Sequence, residues 1–109
     1  MNAGAASLRG EWRSLPLDVA PYKRTATFTE TPIPAALMHE HRTAAGVWAL
    51  LHVLEGRLLY RISGPEGSER EIGAGDRPGV IEPERLHEVR PLGPVQFYVE
   101  FHRRPASAG

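Results

Sequence analysis

Glycine and proline punctuate this chain so densely that few windows of helical length escape one of them. The 11 glycines and 10 prolines are scattered over 109 residues rather than gathered in one linker. Proline removes a backbone donor and glycine weakens a helix interior, so such a chain reads as short extended pieces joined by tight turns. The longest stretch free of both is residues 35–45, apolar at first and then charged. Its pattern fits an extended segment about as well as a short helix.

The pieces between breakers carry a period of two. In residues 57–62, Leu58, Tyr60 and Ile62 fall on one face and Arg57 and Arg61 on the other. In residues 95–102, Val95, Phe97, Val99 and Phe101 alternate with Gln96, Tyr98, Glu100 and His102. Alternation with one apolar face is the pattern of a half-buried strand. Residues 47–55 are apolar on both faces, as in a central strand covered on both sides, and residues 86–90 read as a further short strand. Glu55-Gly56, Gly64-Pro-Glu-Gly67 and the stretch from Gly73 to Pro78 read as turns. Roughly seven or eight short strands in one small domain predict an all-β sandwich or barrel. The folded domain is expected over residues 15–103, with flexible tails at 1–14 and 104–109.

Charge and composition narrow the function. Thirteen basic and 13 acidic side chains give a formal net charge of zero, whereas a surface that reads phosphates needs a basic excess. Nucleic acid is therefore not an expected partner. Zero net charge leaves little barrier to self-association, and a homodimer is compatible with it. Cysteine is absent, so metal ligands come from histidine, carboxylate or water. No run approaches the ~20 apolar residues of a membrane span, and the N-terminal residues lack the apolar centre of an export signal. A cytoplasmic protein without membrane contact is the expectation.

The chemistry-bearing candidates are histidines: His39, His41, His52, His87 and His102. In an extended Leu37-Met-His-Glu-His41, the side chains of Leu37, His39 and His41 share one face. His87 shares its face with Val89, while Glu88 and Arg90 point away. A His-x-His pair on one strand, a third imidazole from another and a carboxylate suit a divalent transition metal: zinc, iron, nickel or manganese. Glu82 and Glu84, in Ile81-Glu-Pro-Glu84, are the nearby carboxylates. Plainer readings stand beside this one. His39 can be exposed ahead of its strand, and His41 and His87 can be buried imidazoles satisfied by backbone carbonyls. His102 reads as a surface residue, His52 as a packing or interface residue, and Trp48, Tyr60, Phe97 and Phe101 as core. The serines show no nucleophile-elbow pattern, and no glycine-rich phosphate loop precedes a helix.

Several motifs run through the chain: Pro21-Tyr-Lys-Arg-Thr25, Thr31-Pro-Ile-Pro34, and His41-Arg-Thr followed by Ala45-Gly-Val-Trp48. Val53-Leu-Glu-Gly56 with Leu58 and Tyr60, Glu82-Pro-Glu-Arg-Leu-His87 and Phe97-Tyr-Val-Glu-Phe101 complete them. Together, over about residues 15–103, they resemble the TehB/YeaR-like domain, a small cupin found alone or fused ahead of a tellurite-resistance methyltransferase. The resemblance implies a cupin-type jelly-roll barrel of short antiparallel strands, with His41 and His87 beside its opening. His39 lies outside the family pattern. Two positions depart from the broader cupin pattern: Ala49 stands where the first motif carries a glutamate ligand, and Glu84 where the second carries a glycine. Methylation of tellurite is not expected of this chain; a role in oxyanion, nitrosative or metal stress is what the resemblance implies. Three functions follow as expectations. The first is a cupin that binds a divalent metal or small ligand in the barrel. The second is a metal-dependent oxygenase or isomerase acting on a small anion drawn in by Arg42, Arg57, Arg61 and Arg85. The third is a metal-free dimerisation scaffold.

Overall fold

The computed structural model describes residues 14–31, 33, 42–65 and 67–105. Among these residues six strands form: β1 Ala20–Arg24, β2 Phe28–Thr29, β3 Trp48–Ile62, β4 Ser68–Gly73, β5 Gly79–Ile81 and β6 His87–Arg103. Every pairing is antiparallel. The sheet runs β1-β6-β3-β4, with β2 also on β6 and β5 also on β3. It is an open sheet. Among the described residues there is no helix, and so none long and apolar enough to cross a membrane.

The all-β expectation holds, but the strands are not all short. β3 runs for 15 residues and β6 for 17, so two of them dominate the fold. The turn expected at Glu55-Gly56 is a bulged corner inside β3, and residues 86–90 are for the most part the start of β6 rather than a separate strand. The physical reason lies at Gly56. Its φ is 77°, and the β3–β6 register shifts between Val53 and Glu55 and again between Gly56 and Leu58. Bulges of this kind bend a ribbon and sharpen its twist without ending the pairing. A Cβ at Gly56 would stand 1.9 Å from the Pro94 carbonyl oxygen, so a glycine is what lets the two backbones pass.

The corner also reverses the pleat. Ala49 and Leu51 are buried before it and Leu58, Tyr60 and Ile62 after it, so the core-facing parity changes from odd to even within one strand. β6 bends through Pro91-Leu-Gly-Pro94 yet keeps its parity, burying Val89, Val95, Phe97 and Val99. One continuous core results, with Leu51, Leu58, Ile72 and Phe97 fully enclosed. Each such side chain contributes about 1.5–3 kcal/mol by leaving water. Tyr60 and Phe97 are core as the pattern required, whereas Trp48 and Phe101 are half-buried. The Tyr60 hydroxyl donates to the Val80 carbonyl at 2.8 Å, so the phenol is buried with its polar end satisfied. The other two turns fall where glycine and proline put them. Gly67 N–H donates to Gly64 O at 2.9 Å, and the Asp76 carboxylate accepts from Gly73 N–H at 2.8 Å.

Candidate functional site

His87 opens β6 directly opposite Ile62 and is 2% exposed. Its Nδ1 lies 2.9 Å from the Arg85 carbonyl oxygen. A carbonyl only accepts, so Nδ1 carries the proton and a neutral ring keeps its lone pair on Nε2. The Tyr60 ring meets the imidazole edge-on, with centroids 6.1 Å apart and planes at 75°. His87 is thus a buried histidine bonded to main chain. The same bond is the one that commonly orients a histidine whose other nitrogen serves as a ligand.

The loop before His87 holds both candidate carboxylates. Glu82 is paired with Arg85 at 3.4 Å, and both side chains are about a third exposed or less. Glu84 is exposed and has a φ of 60°, the one positive value among the described non-glycine residues. A backbone in this left-handed region is one that glycine adopts more readily than a residue with a side chain. Glu84 N–H donates to the Thr43 carbonyl at 3.1 Å. The Thr43 hydroxyl donates to Val47 O at 2.8 Å and lies 3.5 Å from Glu82 O. The chain that follows His41 is therefore laced to the loop that carries Glu82 and Glu84. His39 and His41 themselves lie outside the described residues. Among the described residues, no three His, Asp or Glu side chains are grouped so as to hold a metal ion. Ala49, at the other departing position, is fully buried in the core.

The remaining histidines form a cluster on the opposite face that the sequence did not reveal. His102 is only 6% exposed, which corrects its reading as a surface residue. Its parity was right, but its face is covered: Pro21 and Trp48 stand beside it in the register, and its Nε2 meets Glu100 Oε1 at 2.8 Å. His52 Nε2 lies 3.6 Å from that same oxygen, and the ring stacks on Tyr98 at 4.7 Å with planes at 15°. The Arg24 guanidinium sits 3.7 Å from the Tyr98 centroid. Arg24, Tyr98 and His52 thus stitch β1, β6 and β3 together by ring stacking and cation–π attraction. His52 Nε2 and His102 Nδ1 are buried without a hydrogen-bond partner.

Three of the four arginines considered for anion attraction are engaged with carboxylates. Arg57 meets Glu71 at 3.3 Å, Arg85 meets Glu82, and Arg61 meets Glu88 at 3.1 Å. Glu88 is the one most enclosed: its side chain is 8% exposed and is also held by Arg90 Nε at 3.3 Å. The Arg61 hydrogen bond, aided by Arg90, holds the carboxyl below the usual carboxylate range against the opposing effect of burial. Glu30 is held low in the same sense by the Val95 N–H that donates to it at 2.9 Å.

Comparison with known proteins gives this arrangement a family. No curated protein matches the chain. Its fold is similar to that of the crystal structure of TehB from Haemophilus influenzae, with a TM-score of 0.74 and 23% identity over 81% of this chain. The chain spans 32% of that longer protein. It is equally similar to a protein from E. coli strain K12 determined by the Northeast Structural Genomics Consortium. There the TM-score is 0.76 and the identity 22%, covering 86% of this chain and 99% of the other. At such identities the likeness is one of fold. The model of the TehB-like domain matches residues 23–99, most of the described strands, and the chain belongs to the TehB-like domain family.

Proposed function

We propose that this TehB-like chain is a cupin-type barrel that holds a divalent transition metal or a small ligand, acting in the cytoplasm in oxyanion, nitrosative or metal stress. His87 and His41 supply the nitrogens and Glu82 or Glu84 a carboxylate. The observation that carries the reading is the His87 hydrogen bond to Arg85 O, which leaves Nε2 as the basic nitrogen of a buried ring. The lacing of Thr43 to Glu82 and Glu84 supports it, because it draws the segment next to His41 toward the same loop. Wrapping of the sheet into a barrel is supported by the corner at Gly56, where one strand changes which parity faces the core.

The test is metal uptake. Purified chain is offered zinc, iron(II), nickel and manganese, and near-stoichiometric binding of at least one is expected, lost in His87→Ala and in His41→Ala. Glu84→Gly suits the left-handed backbone, so it removes that carboxylate at no conformational cost and tells whether it is a ligand. Sub-stoichiometric metal with all four ions would defeat the metal reading and leave only a small organic or oxyanion ligand.

A second reading, a metal-free dimerisation module, is favoured by one feature. Leu54 is 51% exposed on β3, close along the strand to the half-buried Trp48, Leu50 and His52. Sedimentation that returns a monomer at high concentration would remove it.

A further inference from the structure

On the face of the sheet turned away from the core, side chains of β4, β3 and β6 enclose a groove of about 230 Å³, lined by Leu59, Arg61, Glu69, Glu88 and Arg90. The register sets its plan. Glu69, Arg61 and Glu88 stand in one row across three strands, and Leu59 and Arg90 in the next. Arg61 is opposite both Glu69 and Glu88, but its guanidinium pairs with Glu88. Among the described residues the Glu69 side chain makes neither an ion pair nor a hydrogen bond. Arg90 meets Glu88 through Nε, and its terminal nitrogens are not used in that bond. A carboxylate on β4 and the outer edge of a guanidinium on β6 therefore face one groove from opposite sides. Two strand spacings of about 4.8 Å separate their backbones.

The lining carries two positive and two negative charges, so a simple anion or cation gains little from its net field. A molecule with an amine at one end and a carboxylate at the other matches both walls. We propose that this groove binds a small linear zwitterion, its amine on Glu69, its carboxylate on Arg90 and its aliphatic middle over Leu59. Glu88 makes the groove more than an ordinary charged surface, because it is almost wholly enclosed and fixes both guanidiniums from below. Paired hydrogen bonds to charged groups then form on one wall already in place.

The test uses three matched probes: 6-aminohexanoate, hexanoate and hexylamine. Each is titrated into the full chain while the Leu59 methyl resonances are followed by NMR. A saturable shift with 6-aminohexanoate is expected, with each singly charged analogue weaker by about fivefold, the worth of one partly exposed ion pair. Glu69→Gln should reduce 6-aminohexanoate to the level of hexanoate, and Arg90→Gln to that of hexylamine. Among the described residues the Glu69 side chain has no partner to lose, so its variant keeps the wild-type spectrum elsewhere. Equal binding of all three probes, no shift at Leu59, or an unchanged affinity in Glu69→Gln would each overturn the proposal.

Discussion

The two arms of the β3–β6 ribbon, on either side of Gly56, use histidine in opposite ways. Beyond the corner, His87 points inward, 2% exposed, with one nitrogen committed to a main-chain carbonyl. Before it, His52 and His102 point outward: His102 Nε2 meets Glu100 Oε1 at 2.8 Å, while His52 Nε2, 3.6 Å from that oxygen, and His102 Nδ1 are buried without a hydrogen bond. Carbonyl and carboxylate oxygens only accept, so the proton sits on Nδ1 of His87 and on Nε2 of His102, whereas no hydrogen bond to Nε2 fixes the tautomer of His52. The inward histidine is thus oriented by the main chain, and the outward pair serves as cross-strand packing between the aromatic rings and β1.

The largest test of this contrast is to remove the corner itself. Gly56→Ala puts a methyl 1.9 Å from Pro94 O at a φ of 77°, and should cost about 3 kcal/mol or more in urea unfolding. Gly46→Ala, at a φ of 75° with open space around the new methyl, should cost only about 1 kcal/mol. Similar losses at the two glycines would show that strain, and not the close passage of strands, makes the corner. Next comes the pair of histidines. His87→Ala leaves a void in the core and an unanswered carbonyl, for about 2–3 kcal/mol, whereas His52→Ala, with a quarter of its side chain exposed, should cost under about 1 kcal/mol. Equal losses would erase the distinction between the arms.

Acid should sharpen it. Glu88 belongs to the inward arm, and its folded pKa lies below its ordinary value of 4.5. Its contribution is complete above that ordinary value and is lost as pH falls through the lower folded one. Stability measured across that window should therefore drop with a slope that Glu88→Gln removes. A slope unchanged by the substitution would separate Glu88 from the acid response. The smallest effect is expected at Arg57 and Glu71, an ion pair with both side chains more than half exposed, where Arg57→Ala should cost no more than about 0.5 kcal/mol.

Much of this molecule was legible in residue order. Alternation identified Leu58, Tyr60 and Ile62, and Val95, Phe97 and Val99, as core positions, because period two depends only on the pleat. The corner was not legible. Glu55-Gly56 looks the same whether glycine turns a chain back or lets a bulged strand continue, and only the approach of Pro94 decides between them. His102 was misjudged for a related reason: parity says which side a residue faces and not whether neighbouring strands cover that side. Glu88 and Glu100 escaped notice because their partners come from elsewhere in the sheet or from two positions along the same strand.

The strand pairing also governs when the chain can fold. β3 and β6 lie closest in sequence where Ile62 meets His87 and farthest where Trp48 meets His102, so zippering from the nearer end completes the inward arm before the outward one. Loops that close distant pairs are entropically costly to form early, and such topologies reach the native state in milliseconds to seconds rather than microseconds. β1 and β2 dock only on the later part of β6. During synthesis, β1 and β2 therefore emerge well before β6, the strand on which they dock.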